Sequence, residues 1–176
     1  MARIAYFVLF ILLINPLFIN AQSKRDNLYM YGREAFAKIE GGTITFISDT
    51  VAYKKFLTDN LVEVAVNFDK IEVRKQFTLN TKKEFYYILA TNKANNITVA
   101  KWLNKKGNTL YINNKFKMSK DLFEQTYLTC TGNDDCTPQV WEDEEGRQWV
   151  CSEKIACSAP GDDKNTCVKT TTVFGP

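Results

Sequence analysis

Apolar and polar positions change their period several times along this chain, and each change marks an element. Ile4 to Ile14 is an unbroken apolar run that Asn15-Pro16 interrupts. Residues 22–27 are polar and read as a frayed lead-in. Leu28 to Glu40 mixes aromatic and charged positions until Gly41-Gly42 punctuates it. Thr43 to Ile47 alternates as a strand does. Ser48-Asp49-Thr50 then supplies short oxygen side chains, which can accept from the orphan amides of a first helical turn. Beyond it Tyr53, Phe56, Leu57, Leu61 and Val64 recur at helical spacing, with Lys54, Lys55 and Asp59 off that face. The spacing predicts one main helix over residues 50–66. Val62, Val64 and Val66 alternate and are β-branched, which leaves a strand open for its second half.

From Asp69 the period is two. Ile71 and Val73 alternate with Glu72 and Arg74, and Glu84 to Thr91 is rich in aromatic and branched residues. Asn92 to Asn96 is turn-rich; Ile97 to Leu103 and Thr109 to Asn113 read as strands around a turn containing Gly107. Ser119 caps a short helical stretch carrying Leu122, Phe123 and Tyr127. Short strands joined by polar turns predict an antiparallel meander, and a helix packed on it makes the fold class α+β.

A further hairpin is expected over Pro138 to Ser152. A three-residue loop ending in Gly146, where glycine adopts positive φ without steric cost, sets Asp143 opposite Arg147, Trp141 opposite Trp149 and Gln139 opposite Cys151. That register pairs two charges and two indoles, each such pair contributing roughly 0.2–1 kcal/mol.

Cysteine placement changes the picture most. All five cysteines, Cys130, Cys136, Cys151, Cys157 and Cys167, follow residue 129. The interrupted apolar segment behind Arg3, followed by the cleavage site Ile19-Asn20-Ala21, reads as a signal peptide cut after Ala21, because it falls short of the ~20 apolar residues that a membrane span needs. Disulfides in a secreted or periplasmic chain are therefore expected, with no stable membrane span after cleavage. The hairpin register disfavours a Cys136–Cys151 bridge, while Cys130–Cys136 and Cys151–Cys157 close short loops easily. Cys167 is by position the odd thiol. Five residues separate Cys130 from Cys136 and Cys151 from Cys157, wider than the usual zinc spacing of about two to four, so no metal is assigned to them.

Charge divides the chain in the same place. Residues 22–127 hold 18 Lys+Arg against 11 Asp+Glu, and residues 128–176 hold 4 against 9. The organisation expected is a signal peptide over 1–21, a basic α+β domain over 22–127, and an acidic, disulfide-stapled tail with its hairpin over 128–176. Besides a polyanion site on the lysine-rich meander and a plain wet sheet face, one reading of this division lays the acidic tail against the basic meander.

The chain has no histidine, which removes Ser-His-Asp and Cys-His catalysis, His-ligated zinc and any imidazole switch. Acidic groups at Asp134-Asp135, Glu142 to Glu145 and Asp162-Asp163 match a calcium loop only loosely. Carboxylate hydrolysis would need two acids about 5 or 7–9 Å apart, which spacing in sequence does not define. The expectation is a non-catalytic binding module without a cofactor. Its contact surface would use Trp141, Trp149, Lys101, Lys105 and Lys106, and its partner would be a protein or a polyanion rather than nucleic acid. An inhibitor of an extracellular enzyme and a carboxylate-dependent hydrolase are the alternatives.

Overall fold

The computed structural model describes residues 22–62, 66–115, 122–132, 136–152 and 167–174. The signal-peptide reading and the positions of Val64, Ser119 and Cys157 lie outside these residues. The fold is α+β. Helix α1 covers residues 22–31 and α2 is Thr50–Leu61. The strands are β1 (Arg33–Glu40), β2 (Thr43–Phe46), β3 (Lys70–Phe77), β4 (Glu84–Asn92), β5 (Ile97–Lys106), β6 (Thr109–Asn113), β7 (Tyr127–Thr131), β8 (Gln139–Glu142), β9 (Arg147–Val150) and β10 (Val168–Thr172). A 3₁₀ turn spans Phe123–Gln125.

All strands but β8 and β9 join one curled antiparallel sheet. Strand β5 organises it, because it is long enough to serve two sets of partners. Its first half lies between β4 and β7, and its end pairs with β6. From β6 the sheet continues through β1 to β2; from β7 it continues to β10; β3 closes the side beyond β4. The boundary read between residues 127 and 128 falls within β7, and the acidic part of the chain contributes the rest of β7 and β10 to the sheet built by the basic part.

Strand β4 is buried on both faces for most of its length, and so is β5 from Val99 to Leu103. That explains the apolar run of Phe85 to Ala90, which a sheet wetted on one side would not need. On one face Tyr86, Ile88, Ala90, Val99, Leu103, Leu110 and Ile112 pack against Tyr53, Phe56 and Leu57 of α2 and Tyr29 of α1. On the other, Phe85, Tyr87, Leu89, Ala100 and Trp102 pack against Phe123, Val140, Trp149 and three of the tail's cysteines.

Helix α2 starts where the cap cluster placed it. Asp49 Oδ1 accepts from the amides of Val51 and Ala52 at 3.0 and 3.1 Å. Those bonds, the Ala52 amide first, hold the Asp49 carboxyl below its usual pKa. The helix ends at Leu61, five residues before the sequence expectation, and its cap Val62 is already extended. Residues 22–27 correct a second expectation: they are helical rather than frayed. Arg25 is 3.0 Å from Asp49, and the Tyr29 ring sits 4.9 Å from Tyr53 and 5.2 Å from Phe56. The β1–β2 turn is Gly41-Gly42, both at positive φ (57° and 83°), which only glycine adopts cheaply.

The hairpin β8–β9 exists, but its register differs by one residue from that expected. Val140 faces Trp149, Trp141 faces Gln148, and Glu142 faces Arg147. Asp143 and Gly146 bond to each other's backbone, so the loop proper is Glu144-Glu145. Asp143 Oδ1 also accepts from the amides of Glu145 and Gly146, at 3.0 and 3.1 Å, which stabilises the tighter turn. Partners in an antiparallel pair share a face and neighbours along a strand do not. Trp141 and Trp149 therefore point to opposite faces rather than stacking on one.

Candidate interaction surface

The hairpin lies on the outer face of the sheet, away from the helices, and Trp149 decides this. Its indole is 2% exposed, stacked 5.3 Å from Phe123 and edge-on to Tyr87 at 6.1 Å. Glu142 fastens the rim of this roof. It accepts from Thr81 Oγ1 at 2.7 Å and from Lys83 Nζ at 3.0 Å, while its backbone amide donates to Asn80 Oδ1 at 2.9 Å. The Thr81 bond, then the Lys83 ammonium, lower the Glu142 pKa. This is one point where the acidic tail meets a cation of the body, but the larger part of the contact is the apolar cluster. Burial at ~25 cal/mol per Å² outweighs a partly exposed ion pair worth about 0–1 kcal/mol.

Two disulfides clamp the roof. Cys130 of β7 bridges Cys151 at the end of β9, with Cα atoms 5.6 Å apart. Cys136, ahead of β8, bridges Cys167, ahead of β10, with Cα atoms 5.3 Å apart. Cys167 is thus paired, which corrects its reading as the odd thiol. The short closures Cys130–Cys136 and Cys151–Cys157 are not the ones formed, because Cys130 is held in the sheet opposite the returning hairpin. Among the described residues four cysteines are paired; Cys157 lies outside them.

The roof covers only part of the outer face. Along β5 the outward residues pass from Ala100 and Trp102, beneath it, to Asn104 and Lys106, beyond it. The open part is built by rows of cross-strand partners. Thr45, Lys38, Thr109 and Lys106 form one row, Ala35, Tyr111 and Asn104 the next, and Arg33 with Asn113 the third. Arg33 lies over the Tyr111 ring at 4.4 Å. Lys38 stands 3.9 Å from Glu40, and both are exposed. Glu124 marks the border. Its Oε2 accepts from Asn104 at 3.0 Å and Asn113 at 3.4 Å, and its Oε1 is 3.7 Å from Arg147, whose guanidinium covers the Trp102 ring at 4.7 Å.

The residues expected to form one contact surface are dispersed. Lys106 belongs to the open face. Lys105, next in the strand, points to the helix side and lies over the rim of the Tyr86 ring at 5.4 Å. Lys101 is a correction: it is 1% exposed, its Nζ donates to the Glu124 carbonyl at 2.5 Å, and it sits 4.5 Å from the Tyr127 ring centroid. Burial drives its pKa well down. Trp149 is the second correction, buried in the roof. Trp141 is half-exposed, its Nε1 donating to Asp143 at 3.0 Å. The reading from sequence missed Arg33, Lys38 and Tyr111 as neighbours of Lys106. Their alternation within β1 and β6 could have been read, but the pairing of β1 with β6 could not.

Among the carboxyls of the described residues with displaced pKa values, Glu34 alone is raised, by burial. Its hydrogen-bond partner is Ser48, at 3.1 Å, rather than a second acid. Among the described residues no helix is long and apolar enough to cross a membrane. No protein-family model matches the chain, and no curated protein or solved structure matches it.

Proposed function

We propose that the chain is an exported, non-catalytic binding protein that holds an anionic polymer on the open outer face of β2, β1, β6 and β5. The observation that carries the reading is the grouping of Arg33, Lys38 and Lys106 on that face around Tyr111, with Glu40 beside Lys38 and Glu124 at the border toward the roof. Cations spread over a rigid sheet neutralise a polyanion along its length, and an aromatic ring adds contact area. The two disulfides and the apolar run before Ala21 support export to an oxidising compartment. Glu34, the acid with a raised pKa, has a hydroxyl rather than a carboxyl partner, which favours binding over hydrolysis by paired acids.

The test is retention on immobilised heparin, used as a generic sulfated polymer, with polyglutamate as a second probe. Wild-type protein is expected to bind at low salt and elute as salt rises. The triple variant R33Q/K38Q/K106Q is expected to elute at clearly lower salt, and K82Q/K93Q to elute with wild type. Equal retention of the triple variant, or no retention of wild type on either polymer, would overturn the reading.

A further inference from the structure

The two disulfides lie side by side in the roof. The Sγ atoms of Cys136, Cys151 and Cys167 all lie within 4.8 Å of one another, so the buried bridge presents its Cys151 sulfur to both sulfurs of the other bridge. Exposure differs along this cluster. Cys130 and Cys151 are fully buried, Cys136 nearly so, and Cys167 is half-exposed. Two isolated structural staples have no need of such contact.

We propose that the four cysteines form one thiol–disulfide exchange centre, in which a thiol substrate attacks at Cys167 and the buried Cys130–Cys151 bridge is the one finally opened. The substrate class is a small dithiol. Its thiolate attacks Cys167 Sγ; the Cys136–Cys167 bond breaks, and its electron pair leaves with Cys136 as a thiolate. The dithiol's second thiolate then displaces Cys167 and closes its own disulfide. Either released thiolate, from Cys136 or Cys167, attacks Cys151 Sγ. The new bond joins it to Cys151, and the pair of the old bond leaves with Cys130, which takes a proton. In total one dithiol is oxidised, and of the two protein bridges one remains and two thiols appear.

Exchange proceeds through a thiolate reaching a disulfide sulfur, and its rate follows access and proximity. A reacting pair needs about 3–3.5 Å, so the sulfurs must close by at most roughly 1–2 Å, and holding them together can replace an external concentration of ~10⁵ M or more. An internal attack therefore outruns a second external one. The consequence is mechanical. Cys130 belongs to β7, so losing its bond to Cys151 frees the hairpin end from the sheet, and the remaining bridge ties it to Cys136 or Cys167 instead.

The test uses the oxidised C157S full-length secreted protein, so that only these four sulfurs take part, beside wild type. One equivalent of dithiothreitol is added under native conditions, thiols are trapped by acid and alkylation, and bridges are mapped by mass spectrometry. The expected result is alkylated Cys130 together with a Cys136–Cys151 or Cys151–Cys167 bridge. Alkylation confined to Cys136 and Cys167, with Cys130–Cys151 intact, would overturn the proposal. So would alkylation of all four without an exchanged bridge, or an exchanged bridge in wild type that C157S lacks.

Discussion

Replacing each hairpin tryptophan by alanine separates the observed register from the one the turn sequence suggests. In the observed register Trp149 faces Val140 in the roof, and Trp141 faces Gln148 on the other side. Trp149 packs on Phe123, Tyr87 and Phe85, with ring centroids 5.3, 6.1 and 6.5 Å away. An indole of this kind buries about 150–250 Å², and truncating a buried aromatic to alanine costs about 3–5 kcal/mol. Its buried Nε1–H has no acceptor among the described residues, which removes some of that stabilisation and places the expected loss near the lower end, ~3 kcal/mol. Trp149→Phe keeps the ring contacts and deletes the N–H, so its cost is expected below ~1.5 kcal/mol. Trp141→Ala loses partial burial and one hydrogen bond to Asp143 at 3.0 Å, and is expected to cost ~1 kcal/mol or less. Urea unfolding of the oxidised proteins, followed by circular dichroism, measures all three. Acrylamide should quench Trp141 and leave Trp149 shielded, as read from W141F and W149F. Losses within ~0.5 kcal/mol of each other for the two alanine variants would refute the register and the roof with it.

Non-reducing peptide mapping is expected to find Cys130–Cys151 and Cys136–Cys167; deleting either pair as a double alanine variant should cost roughly 3–4 kcal/mol, from loops of 21 and 31 residues' separation. Lys101→Met should change the pH profile of stability. The folded-state pKa of Lys101 is lowered, so between that pKa and about 10.4 the unfolded chain holds the extra proton, and wild-type stability rises with pH across that interval. The Met variant should lack the rise, and an unchanged profile would show that Lys101 is not buried as described. Above about pH 10 both proteins should lose stability, because Tyr29, Tyr53 and Tyr127 have raised pKa values in the folded state and the unfolded chain gives up those protons first. Asp49→Ala removes the cap of α2 and the partner of Arg25; a loss of about 1 kcal/mol in thermal or urea unfolding is expected, and no loss would argue that α2 is held by packing alone.

Much of the fold is legible in local pattern, and what is not legible has a common cause. The cap at Asp49, the turns at Gly41-Gly42 and Gly107, and strands β3 to β6 follow from residues that decide their own geometry. Helix α1 does not announce itself, since Gln22 to Asn27 is polar and its anchor, Tyr29, acts through rings on α2 that are distant in sequence. The hairpin register fails for a related reason. Gly146 tolerates both a two- and a three-residue loop, and the choice is made by Trp149 reaching the sheet and by Asp143 bonding the turn amides. The basic surface was misread because strand neighbours face opposite ways: Lys105 and Lys106 are adjacent in sequence and separated by the sheet.

The charge division along the chain has a different structural meaning from the attraction it suggests. The acidic segment docks chiefly through Val140, Trp149 and its cysteines, apolar groups that charge counting overlooks. Its principal contribution to the open face comes from a cation. Arg147, paired with Glu142 across the hairpin, reaches Glu124, and the same carboxylate orients the amides of Asn104 and Asn113 on the open side. The roof and the face beside it are therefore joined by a chain of contacts from β9 through Glu124 to β5 and β6. Glu124 thus contacts Arg147 of β9 on one side and the amides of β5 and β6 on the other. The bridges Cys130–Cys151 and Cys136–Cys167 flank the hairpin at the seam between β7, β9 and β10, so they tie to the sheet the strand whose Arg147 reaches Glu124.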